Sequence, residues 1–139
     1  MSTEVIVYVL TALAAVVVSL TRLRLGKGGA GRLSMGTSLV NVHTVAGGLA
    51  LITWIVFLVA PEDSPVGTST FGIVSLALWW VTVIAGLLIL VRWLPSHGRH
   101  ASEGSADSWS EGPGLSILAH VGMLVGVCVF TWAYLTSAV

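Results

Sequence analysis

Charge is what this chain has least of. Only 9% of its 139 residues are charged, six Lys or Arg against six Asp or Glu, where a soluble domain carries roughly 25%. So few charges cannot cover a water-facing globule of this size, which excludes a soluble domain. Cysteine is nearly absent: Cys128 stands alone, so no disulfide scaffold can form within the chain. Glycine is frequent but has no triplet period, which excludes a collagen-like fibre. The 55% hydrophobic content excludes intrinsic disorder. What is present, at a mean hydropathy of +0.96, is the composition of an integral membrane protein of one domain.

The few charges mark out segments. Between Glu4 and Arg22, Arg32 and Glu62, Asp63 and Arg92, and Glu111 and the C-terminus there is no Asp, Glu, Lys or Arg. Each gap accommodates an apolar helix of about 17–25 residues, the length a roughly 30 Å hydrocarbon core requires. The expected helices fall at about 5–21, 38–60, 71–94 and 115–137 within a single domain, 1–139. Helix is expected over strand because the runs are continuously apolar, whereas barrel strands alternate. A helix also satisfies its own backbone in lipid. The first segment has an acid rather than a basic stretch before it and no A-x-A site after it, so it reads as a retained helix rather than a secretion signal. The fold class expected is all-α, an integral membrane four-helix up-down bundle.

Orientation follows from the basic residues. Arg22, Arg24, Lys27, Arg32, Arg92 and Arg99 all flank or occupy the first and third connections, while the N-terminus and the second connection carry Glu4, Glu62 and Asp63. The positive-inside rule places the first and third connections in the cytoplasm and both termini outside a bacterial-type cell membrane. Trp93 suits the inner interface, and Trp132 and Tyr134 the outer one. The stretch 95–114, rich in Ser, Gly and acids, reads as a mobile cytoplasmic loop.

Two residues stand out chemically. An ionisable side chain inside a membrane helix is costly and is a functional hypothesis by default. His43 lies about five residues into the second helix from its cytoplasmic end and His120 about five or six into the fourth, hence at nearly one depth, roughly 8 Å below the inner interface. Second and fourth helices of a bundle are diagonal neighbours that can face each other across the core. Two neutral imidazoles at equal depth are what a bis-histidine b-type haem needs. Gly47, with Gly48 beside it, and Gly122 and Gly126 follow the histidines and offer either clearance for a porphyrin or close helix packing. Arg24, Lys27, Arg32 and Arg92 offer partners for propionates.

This layout resembles the membrane cytochromes b, in which haem lies between the second and fourth helices of a bundle. The resemblance covers helix order and one histidine per helix. It implies haem b as cofactor, with His43 and His120 as ligands. The paired histidines per helix of that family are missing, so one haem at most is implied. Other uses stay open for these histidines: hydrogen bonding between helices with Asn41, Thr44 and Ser116, contact with interfacial water, or contact with a quinone or a metal.

Other patterns carry less. Gly26, Gly28 and Gly31 match G-x-G-x-x-G formally, but no strand precedes them, so a flexible basic link near lipid head groups is expected. His97 and His100 form an H-x-x-H followed by Glu103 and Asp107, without any further zinc motif, and no metal site is assigned. No buried carboxylate pair and no activated nucleophile is legible, so no catalytic residue is assigned and a stand-alone enzyme is not expected. Trp79 and Trp80, at mid-helix, read as one residue towards a partner helix and one towards lipid. The expectation is a small multi-pass subunit of a respiratory, electron-transfer type complex. The alternatives are a non-catalytic structural or assembly subunit, or a small oligomeric transporter. Its partners are lipid and membrane subunits or further copies of itself, with no nucleic acid.

Overall fold

The computed structural model describes residues 2–27, 37–97 and 113–139. Among these the regular structure is helical throughout: α1 (Thr3–Lys27), α2 (Thr37–Val59), α3 (Ser69–His97) and α4 (Pro113–Leu135). Three helices contain stretches long and apolar enough to cross a membrane, Ser38–Val59, Ser69–Arg92 and Ile117–Leu135. The apolar part of α1, Thr3–Ser19, is shorter.

Helix ends differ from those the apolar runs suggested. α1 continues to Lys27 rather than stopping near residue 21. The charge gap located the apolar run, whereas Leu23, Arg24 and Leu25 are good helix formers that carry the helix onward. α3 passes Pro95 to His97. A proline forfeits an intrahelical bond, and only two residues of the helix follow it. The glycine-rich link beyond Lys27, Arg32, and His100, Glu103 and Asp107 lie outside the described residues.

The α2–α3 connection is a compact turn. Ser64 N–H donates to Pro61 O at 2.9 Å, and Gly67 N–H reaches Ser64 O at 3.1 Å and Ser64 Oγ at 3.0 Å. A Cβ at Gly67 would collide with the Pro61 carbonyl oxygen, so glycine is required there. Thr68 then caps α3, its Oγ1 accepting from Phe71 N–H at 3.4 Å.

α3 packs most extensively on α2 and next on α4, while α1 touches α4 and α2 more sparsely. Tyr8 O–H donates to Leu58 O at 3.2 Å, joining the start of α1 to the end of α2. Tyr134 O–H donates to Ser69 O at 2.7 Å, joining the end of α4 to the start of α3. Between these ties lies an aromatic core. Trp54, Trp79 and Phe130 are fully buried, and Phe130 sits 5.0 Å from Trp54 and 5.8 Å from Trp79, ring centre to ring centre. Each such pair contributes about 0.5–1.5 kcal/mol beyond its buried area.

The outward faces are apolar as well as the core, and the few buried polar side chains bond to the backbone. Thr11, Ser75 and Thr82 are buried, each hydroxyl donating to the carbonyl four residues earlier. Val45, Ile52, Val91, Leu118 and Leu135 project outward, more than half exposed.

Candidate functional site

α2 and α4 each supply one histidine, and α3 decides how they meet. His43 is the seventh residue of α2 and His120 the eighth of α4. Their ring centres lie 6.1 Å apart with the planes inclined by 24°. The two histidines singled out in sequence are thus brought together.

His43 is tied to the third helix. Its Nδ1 lies 2.9 Å from the Thr82 carbonyl oxygen. A carbonyl only accepts, so Nδ1 carries the proton and donates. In the neutral ring Nε2 is then left with the lone pair. This is the tautomer of a histidine ligand, whose other nitrogen typically donates to a carbonyl or carboxylate.

One turn further along α3, Gly86 lies against both rings. A Cβ built there would stand 2.9 Å from His120 Cδ2 and 2.9 Å from His43 Cε1. Beside the pair is a half-open cavity of about 230 Å³ to which all four helices contribute. Val17 and Val18 come from α1, Thr44, Gly47 and Gly48 from α2, Trp79 and Thr82 from α3, and Met123 from α4. Apart from the histidines no lining residue is ionisable. Trp79 Nε1 is the one buried side-chain nitrogen or oxygen among the described residues without a hydrogen-bond partner. The indoles of Trp54 and Trp80 do have partners, Thr11 Oγ1 at 3.2 Å and Thr131 Oγ1 at 3.1 Å.

Of the remaining sequence candidates, Thr44, Gly47 and Gly48 line the same cavity as the histidines, and Gly122 and Gly126 are not among its lining residues. Gly47 fits a close α2–α3 approach, since a Cβ there would meet Thr82 Cγ2 at 3.2 Å. Around Gly48, Gly122 and Gly126 a Cβ would find nothing within 4 Å, so the spaced pair on α4 faces open room. Asn41 and Arg92 are exposed, and Thr44 lines the cavity. The side chains of Arg24, Lys27, Ser116 and His97 are outside the description. Among the described residues no group of three or more His, Cys, Asp or Glu could hold a metal ion. Cys128 is exposed. Trp80, expected either at a helix partner or in lipid, reaches α4 through Thr131 while Trp79 fills the core.

Thr82 and Gly86 were not singled out in the sequence, and Trp79 was read only as facing a partner helix or lipid. Their signal was present: positions 79, 82 and 86 fall on one helical face, and a glycine inside an apolar helix asks for a packing reason.

No protein-family model matches the chain, nor does any curated protein or solved structure.

Proposed function

We propose that the chain is an integral membrane, up-down four-helix bundle and an electron-transfer subunit of a respiratory-type complex, with His43 and His120 ligating one b-type haem. Insertion is supported by the apolar outward faces of all four helices, a surface that a water-soluble monomer does not present. The ties at Tyr8–Leu58 and Tyr134–Ser69 support alternating helix directions.

The observation that carries the haem reading is the facing pair. The near-parallel rings of His43 and His120 stand 6.1 Å apart, and these two residues would hold the iron if haem were bound. The His43 tautomer supplies a lone pair at Nε2, and the Thr82 carbonyl holds that ring in place. Apolar residues of α1 and α4 line the half-open cavity beside the rings. Bound haem supplies a one-electron redox couple, tuned by its axial ligands and by burial. The cavity's 230 Å³ is below the roughly 300–1,000 Å³ of pockets for drug-sized ligands. The α3 backbone at Gly86 also lies between the rings, since a Cβ there would stand 2.9 Å from both imidazoles, so a macrocycle does not fit the pair as it stands.

A reduced-minus-oxidised visible spectrum of the purified, haem-supplied protein in mild detergent tests the reading. A sharp b-type α-band that His43→Ala and His120→Ala each abolish supports it. A flat spectrum from folded protein sinks it and leaves the pair as a helix-to-helix contact in a structural or assembly subunit.

A further inference from the structure

We infer that the cavity beside the histidine pair is a binding site for a single hydroxylated aromatic ring, a phenol, held by the Trp79 indole N–H and by His43 Nε2. Haem and a phenol compete for that nitrogen, so the site does not rest on the haem reading and is tested on haem-free protein.

Size is the first ground. The cavity measures about 230 Å³, and a dry apolar cavity of roughly 150 Å³ already takes up benzene. One substituted ring therefore fits where a macrocycle does not, among apolar neighbours that include Val17, Val18 and Met123. A donor is the second. Trp79 is fully buried and lines this cavity, and its Nε1–H has no hydrogen-bond partner. The indoles of Trp54 and Trp80 are each satisfied by a threonine hydroxyl. A buried donor left unmade is costly, and an oxygen atom bound in the cavity relieves that cost. The third ground is an acceptor. His43 lines the same cavity, and with Nδ1 committed to the Thr82 carbonyl at 2.9 Å its neutral ring keeps a lone pair at Nε2. An aromatic hydroxyl donates one bond while accepting another. It answers both groups, whereas an ether or carbonyl oxygen answers only the indole.

Proton–nitrogen-15 spectra of the full-length protein in mild detergent test this, with phenol, toluene and anisole as probes. Toluene has the ring without the oxygen, and anisole has an oxygen that only accepts. The Trp79 indole signal, identified by its loss in Trp79→Phe, is expected to move downfield on adding phenol, and the His43 Nε2 signal to shift with it. At equal concentration in the micelle, phenol should bind at least about tenfold tighter than toluene, with anisole between them, because two hydrogen bonds are gained. Trp79→Phe should weaken phenol by about 3–10-fold without weakening toluene.

Val18→Phe fills the cavity from α1 and should abolish the phenol shifts. Leu118→Phe, on the outward face of α4 and away from the cavity lining, should keep them. This second pair decides the matter if Trp79→Phe does not fold. Toluene binding as tightly as phenol, or phenol shifts that survive Val18→Phe, would overturn the inference. An indole signal that stays still beside a b-type α-band sinks the phenol site alone; a shifted indole beside a flat visible spectrum sinks haem alone. Because the cavity is half-open, a chain attached to the ring has room to leave it. 4-Decylphenol in lipid nanodiscs therefore separates two sources of the same ring. Uptake at least about tenfold tighter than phenol at equal bilayer concentration identifies the head of a membrane lipid, and equal uptake identifies a free phenol.

Discussion

Three tryptophans in one small bundle differ in the fate of the indole N–H. Trp54 donates to Thr11 and Trp80 to Thr131, whereas Trp79, fully buried, donates to nothing. A made hydrogen bond contributes about 0.5–1.5 kcal/mol net, while an unmade buried donor costs about 1–3 kcal/mol. Replacement by phenylalanine removes similar volume at positions 54 and 79 but changes the hydrogen-bond balance in opposite directions. Trp79→Phe is expected to destabilise the ligand-free protein less than Trp54→Phe, by about 1 kcal/mol or more. Unfolding in mixed detergent micelles, followed by circular dichroism, measures the two. Equal losses would mean that the Trp79 N–H already meets an acceptor, of lipid or ligand origin. For His43 the proton is assigned by the Thr82 carbonyl, and that assignment gives the ring a lone pair to offer.

At the scale of elements, the helices divide into a well-packed set and a looser wall. α2, α3 and α4 share the aromatic core, and α1 closes the cavity with Val17 and Val18 while packing least on its neighbours. Val18→Phe should test the role of that wall. In the empty protein the 230 Å³ cavity has room for the added ring. In the loaded protein the same atoms overpack, at about 1–3 kcal/mol, and each 1.4 kcal/mol is about tenfold in affinity. Haem titration is therefore expected to show at least roughly tenfold weaker uptake at nearly unchanged stability. Unchanged uptake would place the haem away from α1. How far these elements were legible depends on what marks them. Existence and number followed from charge gaps, because an ionised side chain is expensive in an apolar helix. The ends did not, because α1 runs past Arg22 and Arg24 on propensity alone. The pairing of His43 with His120 was readable from equal depth. The part of α3 was not, because depth says nothing about azimuth, and Gly86 matters only through the side of the helix it occupies.

For the whole molecule the open quantity is direction, and it decides with which side of the membrane the histidine pair communicates. The pair lies about two turns from the starts of α2 and α4, while the Tyr8 and Tyr134 ties lie at the opposite end. The starts of α2 and α4 follow the connections that carry or adjoin all six basic residues, and Glu4, Glu62 and Asp63 belong to the other end. Basic residues in short connections stay on the cytoplasmic side, so in the proposed orientation the pair sits on the inner half of the bilayer. At 1.5 Å per residue its depth below the inner interface is about 10 Å, within reach of a cytoplasmic-side electron partner. Alkaline phosphatase fused after Val139 is expected to be active and a fluorescent protein fused there dark, with the reverse pattern for fusions within 98–112. Neutralising Arg22, Arg24, Lys27 and Arg32 together should produce mixed orientations, since only Arg92 and Arg99 then remain to anchor the inner side. Should the unmodified chain show the opposite pattern, the pair would face the outer half, and its electron partner would have to be an extracytoplasmic one.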